Sequence, residues 1–143
     1  AELIERTKLC FFAGMQYAKA GGRLFDISAA IGDCAHRYGY GVVRDLVGHG
    51  IGRNMHEPPE IPNFRQRFRG MRLRPGMTLA VEPMINIGTW QVNWSKNGWT
   101  VTTADGSLSA HYENTILITR TGPELLSVTE EEAENLNHVY LAV

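Results

Sequence analysis

Residues 75–85 read PGMTLAVEPMI, and this stretch combines an apolar strand pattern with a single carboxylate. From Met77 to Ile87 the sequence is rich in Met, Leu, Val and Ile, which indicates a strand. Glu82 interrupts this apolar run. A carboxylate inside a buried strand is unfavourable unless it is paired, hydrogen-bonded or bound to a metal. Glu82 is therefore the first candidate functional residue.

Helices are predicted on either side of the strand region. Apolar residues recur near helical spacing over residues 2–20 and 25–37, so each segment is expected to be a helix. Asp26 is predicted to cap the second helix, and Gly39 is predicted to stop it. Thr129, followed by three glutamates, predicts a capped final helix.

Strands and loops fill the middle of the chain. Residues 48–76 show no sustained periodicity and are interpreted as an ordered loop region, where functional sites are common. Residues 90–103 and 108–119 are predicted to be strands, with Asp105-Gly106 as the hairpin turn between them. Two helices, an antiparallel sheet and a short helix together predict an α+β fold.

Composition narrows the class of protein. The 143 residues are 43% hydrophobic and 20% charged, which is typical of one globular domain, and we assign residues 1–143 to a single unit. The net charge of −1 gives no basic footprint for nucleic acid or for a membrane surface. No apolar run is long enough to span a membrane. Cys10 and Cys34 are interpreted as reduced thiols of a cytoplasmic protein.

Two further polar residues lie in unusual surroundings. His49 lies within Gly48–Gly52, which reads GHGIG, and Glu113, like Glu82, lies within a predicted apolar strand. One imidazole and two carboxylates form a mixed nitrogen and oxygen ligand set that suits Mn, Fe, Co or Zn. Two such ions with bridging carboxylates could activate water and polarise a carbonyl.

Simpler explanations exist for each residue taken alone. A glutamate on a strand is commonly exposed or ion-paired, and a histidine in a glycine-rich segment commonly makes local hydrogen bonds. His56 is consistent with a residue that supports the loop. Residue types and spacing therefore leave both a metal site and ordinary structural roles open.

Three linked motifs resemble those of the methionine aminopeptidases. Residues 48–59, GHGIGRNMHEPP, are similar to GHGIGxxFHExP; residues 75–84 are similar to PGMxFxIEPM. Residues 98–115, GWTVTTADGSLSAHYENT, are similar to GWTxxxxDxSLSAQxEHT. The first two motifs also occur in proline-specific dipeptidases and creatinase, whereas the Ser-Leu-Ser-Ala segment favours the bacterial type I methionine enzymes. The resemblance extends from about Leu3 to about Leu126.

The resemblance implies half of the pita-bread fold, in which a curved antiparallel sheet is backed by helices. In the family, two similar halves enclose a dinuclear metal centre with five protein ligands. The matching motifs give three of those ligands as His49, Glu82 and Glu113. The other two are aspartates of the N-terminal half, and we expect that this chain lacks them.

The resemblance also implies the reaction and the residues that perform it. The reaction is removal of methionine from the N-termini of nascent proteins and peptides by metal-activated water. His56 and Glu82 are the expected catalytic residues, with Glu82 relaying the proton. Met55, His56 and Trp99 are the expected substrate-binding residues.

The expected absence of the N-terminal ligands leads to further predictions. The chain should hold one divalent ion or none, show weak activity or none, and associate with itself or with the missing half through exposed surfaces. The alternative is a metal-poor inactive fragment or pseudoenzyme that binds peptides or proteins. A third hypothesis is a proline-specific dipeptidase, against which the Ser-Leu-Ser-Ala segment argues. Smaller departures from the family pattern are Pro58, Met55 and Asn114, the last of which predicts a changed environment for Glu113.

Overall fold

The structure is a computed structural model, and it describes residues 1–141. Ala142 and Val143, the end of the predicted single unit, lie outside the described residues. The elements in chain order are α1 (Glu2–Met15), α2 (Leu24–Arg37), β1 (Gly41–Val42), β2 (Gly48–Gly50), β3 (Glu57–Ile61), β4 (Thr78–Val81), β5 (Met84–Asn86), β6 (Val92–Trp94), β7 (Val101–Thr103), β8 (Ser109–His111), β9 (Asn114–Ile118), β10 (Pro123–Leu125), α3 (Glu130–Leu136) and a π-helical turn at Asn137–Leu141.

The strands form antiparallel sheets, which confirms the α+β class. Five strands pair in the order β10-β9-β4-β2-β3, and three pair in the order β1-β5-β8. Strands β6 and β7 form a separate hairpin. No helix among the described residues has the length and apolar character needed to cross a bilayer.

Helices α1 and α2 pack closely on one another and on the sheet. A Cβ added at Gly14 would lie 2.8 Å from Cγ1 of Ile31, so glycine is what permits this helix approach. Cys10 and Cys34 are free, buried thiols in these two helices, as predicted. The largest fully buried core residues are Phe11, Met15, Leu24, Ile27, Ile31, Ile61, Leu73, Leu79, Ile85, Ile116, Ile118 and Val43.

The predicted first helix is too long, and the predicted cap of the second is wrong. Helix α1 ends at Met15, where the amides of Tyr17 and Ala18 donate to the carbonyls three residues before them, and the amides of Ala20 and Gly21 then donate to carbonyls outside the helix. Helix α2 begins at Leu24, so Asp26 lies inside its first turn and pairs with Arg69 at 2.6 Å.

The predicted C-terminal stop of α2 and the predicted N-terminal cap of α3 are confirmed. Gly39 follows α2 with φ 75°, a conformation that favours glycine. At α3, the Thr129 hydroxyl accepts a hydrogen bond from the Glu132 amide at 3.2 Å. The Glu132 carboxylate accepts one from the Thr129 amide at 2.8 Å, completing a capping box.

Each of two predicted strands is two strands separated by a break. The segment 77–87 is divided at Glu82-Pro83 into β4 and β5, and the segment 108–119 is divided at Tyr112-Glu113 into β8 and β9. Strand β4 pairs with β9 in one sheet, whereas β5 pairs with β8 in the other. Pro83 has no amide hydrogen, so the ladder is interrupted where the chain passes between sheets. Both candidate glutamates therefore lie at this junction, not in mid-strand.

The predicted hairpin at Asp105-Gly106 is also wrong. Strand β7 pairs with β6, and β8 pairs with β5. The Asp105 carboxylate accepts hydrogen bonds from the amides of Thr89 at 2.9 Å and Ser107 at 3.0 Å. It thus ties the segment after β5 to the segment before β8, where sequence spacing alone suggested a simple turn.

The predicted loop region contains β2 and β3. Gly48 and Gly50 allow β2 to lie closely between two other strands, since a Cβ at Gly48 would lie 2.4 Å from the Ala80 oxygen. One at Gly50 would lie 2.3 Å from the Pro58 oxygen. His49 is therefore held on an internal strand of the five-stranded sheet.

Candidate metal centre

Three side chains from separate elements converge at one place. Each of His49, Glu82 and Glu113 offers a ligand atom, and these atoms all lie within 4.8 Å of one another. The His49 Nε2 atom is 3.4 Å from the Glu82 Oε2 atom. Within residues 1–141 this is the group of three histidine, cysteine or acidic side chains whose geometry could hold a metal ion.

The strand register explains the convergence. His49 of β2 is opposite Ala80 of β4, so their side chains share a face of the sheet. Glu82 is two residues beyond Ala80 and follows the same alternation. Val81 is opposite Asn114, so antiparallel pairing brings Glu82 beside Glu113 at the break. The register alone thus gathers the three side chains on one face.

The His49 ring has the orientation that a metal ligand needs. Its Nδ1 atom lies 2.9 Å from the Gly50 carbonyl oxygen. A carbonyl only accepts hydrogen bonds, so Nδ1 must carry the proton. In the neutral ring, Nε2 then presents its lone pair toward the carboxylates, as in histidines that bind metals.

The electrostatics of the site favour an added positive charge. Burial, and then the negative charge of the neighbouring Glu113, raise the pKa of Glu82 to about 7, although His49 opposes this shift. An Nε2 lone pair and a carboxylate facing one another at 3.4 Å require either a proton or a cation between them. An imidazole with two carboxylates is a suitable donor set for a divalent ion. The residues present therefore fit a metal.

Ordinary contacts account for only part of this arrangement. Glu113 faces His111, with 3.8 Å between the His111 Nε2 and Glu113 Oε2 atoms, which is too long for a hydrogen bond. The Glu113 side chain is 43% exposed, compared with 20% for Glu82 and 13% for His49. The site is thus closed on the His49 side and open on the Glu113 side.

The structure brings His56 to the cluster and leaves Met55 and Trp99 exposed. The His56 ring centroid is 4.1 Å from that of His49, with the rings tilted by 40°. Met55 is 73% exposed, and Trp99, in the turn between β6 and β7, is 83% exposed. The roles predicted for these three residues in substrate binding and catalysis stay predictions.

Two residues that support the site were missed by sequence reasoning. The Glu57 carboxylate accepts a hydrogen bond from the Asn54 amide at 2.9 Å, which closes the loop carrying Met55 and His56. Asn63 is fully buried, and its side-chain amide donates to the Glu82 carbonyl at 3.3 Å. Glu57 could have been noticed in the sequence, because it is an acidic residue beside His56. Asn63 could not, because its hydrogen-bond partner lies 19 residues away.

Asn114 differs from the family pattern, and the structure shows what it contacts. Its side-chain nitrogen donates to the Tyr112 hydroxyl at 2.9 Å, and its side-chain oxygen accepts from the Ser127 hydroxyl at 2.7 Å. The side chain of Asn114, which is itself buried, is thus committed to a partly buried network that holds β9 next to the break.

Comparison with known proteins gives one family. Residues 1–120 match metallopeptidase family M24. The chain is 54% identical over 130 residues to the methionine aminopeptidase of Clostridium acetobutylicum, with 91% of this chain and 52% of that protein covered. The chain therefore spans about half the length of the curated relatives it matches.

Solved structures give the same fold. The methionine aminopeptidase of Thermotoga maritima matches with a TM-score of 0.86 and 45% identity, over 90% of this chain and 51% of that one. The prolidase of Pyrococcus furiosus matches with a TM-score of 0.65 and 26% identity, over 90% of this chain and 32% of that one. The predicted pita-bread architecture is confirmed by this likeness, since these neighbours share it.

Proposed function

We propose, from the premise that this chain belongs to metallopeptidase family M24, that it supplies the His-Glu-Glu part of a methionine aminopeptidase active site. The reaction is removal of methionine from the N-termini of nascent proteins and peptides. The relatives that support this proposal are named methionine aminopeptidases, and they are 41–54% identical to this chain over most of its length.

One observation carries the proposal. His49, Glu82 and Glu113 converge within 4.8 Å, and the hydrogen bond of Nδ1 to the Gly50 carbonyl leaves Nε2 of His49 directed at Glu82, at 3.4 Å from its Oε2 atom. The arrangement is therefore suited to binding a cation.

The residues of the chain divide the chemistry among them. When bound, a divalent Co, Mn, Fe or Zn ion supplies Lewis acidity that activates water and polarises the scissile carbonyl. Glu82 takes the proton of the attacking water on a carboxylate oxygen and passes it to the leaving amine. His56, beside His49, donates a hydrogen bond to the oxygen of the substrate carbonyl.

Met55 and Trp99 form walls for the methionine side chain. Both are largely exposed, so a bound substrate gains by covering them. A flexible thioether adapts well to aromatic and sulfur-containing surfaces. The partner is thus a peptide or a nascent protein N-terminus, and neither nucleic acid nor a membrane is expected.

Three ligands limit what this chain does by itself. They hold one ion weakly, because the site is open to solvent on the Glu113 side. We expect weak activity or none from the isolated chain, pairing with a segment that supplies further carboxylates, and a cytoplasmic location.

The test measures metal and turnover together. Isothermal titration with Co²⁺ or Mn²⁺ should give up to one equivalent, and a Met-Ala-Ser peptide tests release of methionine. Glu82→Gln should abolish metal binding, whereas Glu124→Gln on the distant edge strand β10 should leave it unchanged. Absence of metal binding by the wild-type chain would refute the proposal.

A second candidate is a metal-poor module that binds peptides. The exposure of Glu113, Met55 and Trp99 favours this second function, because an open site binds ions weakly. Peptide binding without bound metal and without turnover would support this function. Cleavage of Xaa-Pro but not Met-Ala peptides would instead support the proline-specific dipeptidase.

A further inference from the structure

The Glu82-Pro83 break creates a main-chain carbonyl that the sheet does not pair. Strand β4 ends at Val81 and β5 begins at Met84. The Glu82 carbonyl lies between them, and buried carbonyls need a hydrogen-bond donor. The described structure gives it the side-chain amide of Asn63 at 3.3 Å.

Asn63 is held firmly in place. It is fully buried, in the segment that follows β3, and this segment packs against α2. A Cβ at Gly32 of α2 would lie 2.7 Å from the Phe64 Cα atom, so backbone packs on backbone here. Arg65 pairs with Asp33 of α2, which fixes the segment from its other end.

The orientation of the Asn63 amide follows from its neighbours. Its Oδ1 atom is buried and has no hydrogen-bond partner among the described residues. Turning the amide over would place that oxygen against the Glu82 carbonyl and lose the bond. The bond to the Glu82 carbonyl is therefore the hydrogen bond that the Asn63 side chain makes among the described residues.

We propose that Asn63 is a positioning residue for the candidate metal centre. By donating to the Glu82 carbonyl, it fixes the peptide plane from which the Glu82 carboxylate projects toward His49 and Glu113. The role is comparable to that of groups that orient metal ligands without touching the ion. This inference rests on the proposed function, because it assumes that Glu82 binds metal.

The chain contains a matched control. Asn86 is also fully buried, its amide also donates to a main-chain carbonyl, that of Thr89 at 2.9 Å, and its Oδ1 is also unpaired among the described residues. Its acceptor is not a candidate ligand. Asn63→Leu and Asn86→Leu therefore remove the same kind of bond, with similar side-chain size and no added charge.

The experiment compares Co²⁺ affinity by titration calorimetry, the visible Co²⁺ absorption spectrum, and urea unfolding without metal. We expect Asn63→Leu to lower affinity by about 10–100-fold and to change the spectrum. Asn86→Leu should change the stability of the metal-free chain to a similar extent yet keep wild-type affinity and spectrum.

A second measurement needs no variant to fold. In the wild-type chain, Zn²⁺ should shift the side-chain amide signals of Asn63 in nuclear magnetic resonance spectra and leave those of Asn86 unchanged. Equal responses of the two asparagines, in affinity or in shift, would overturn the positioning role while the metal site stands. Failure of the wild-type chain to bind Co²⁺ would overturn the proposed function and this role with it.

Discussion

The two faces of β4 are built for different purposes. Leu79 and Val81 point into the hydrophobic core shared with α1 and α2, and both are buried. Ala80 and Glu82 alternate with them and belong to the face that carries His49. A single strand thus places packing residues on one side and ligands on the other. Stability and chemistry should therefore respond to different substitutions only one residue apart.

The two faces also differ in how completely they are covered. Helices close the core face, where the largest side chains are fully buried. On the ligand-bearing side, Glu113 is 43% exposed and Met55, next to His56, is 73% exposed. Trp99 and Leu108, in the connections before and after β7, are 83% and 70% exposed. Large apolar residues in the open are typical of a surface that a ligand or a partner covers.

The largest expected effect comes from the core face. Leu79→Ala should lower the free energy of unfolding by about 2–5 kcal/mol, because it removes transfer energy and leaves a cavity. Urea unfolding of the metal-free chain measures this. Co²⁺ affinity of the folded variant should stay at the wild-type value, and a parallel loss of affinity would contradict the separation of the faces.

The next effect comes from the ligand face. Glu82→Gln should lower Co²⁺ affinity at least about 100-fold, since changing groups that merely orient ligands already costs about 10–100-fold. It should not destabilise the metal-free chain, because it removes repulsion from Glu113. Titration and urea unfolding measure both quantities. Destabilisation equal to that of Leu79→Ala would show that Glu82 is a structural residue.

A smaller effect is expected on self-association. If the uncovered side pairs with another copy, Trp99→Ser should weaken the dimer by about tenfold, in keeping with the loss of a partly buried aromatic contact. Phe68→Ser is the control, because Phe68 is 73% exposed but lies in the segment beside α2. Sedimentation velocity measures the equilibrium. A wild-type chain that stays monomeric at high concentration would rule this association out.

The smallest effect is local and depends on pH. Hydrogen bonds from Ser107 and from the Thr89 amide hold the pKa of Asp105 well below its usual value near 3.9. The carboxylate stabilises its segment above that unfolded-state pKa, and the contribution is lost as pH falls through the lower folded-state pKa. The protection of the Thr89 and Ser107 amides against hydrogen exchange, relative to their intrinsic rates at each pH, should therefore fall below about pH 4. In Asp105→Asn this pH dependence should be absent.

Much of the site could be predicted from local sequence. The glycines around His49 and the glutamates near apolar strands are visible in the chain, and the linked motifs carried the ligand set. Strand positions were harder, because the breaks at Glu82-Pro83 and Tyr112-Glu113 exist only where two sheets meet. Because apolar residues continue on both sides of each break, the apolar pattern predicts one continuous strand.

The sequence by itself determined the α+β class, the helices α1 and α2, the capping box at Thr129 and the identity of the candidate ligands. These depend on side-chain chemistry and on neighbours a few residues apart. The tertiary structure alone decided that Asn63 reaches Glu82, that Asp105 ties two segments, and that the His49 ring presents Nε2 to the carboxylates. Except for the His49 to Gly50 contact, these bonds join groups 16 to 19 residues apart. Sequence patterns over a few residues do not determine which distant strands pair, so they could not predict these bonds.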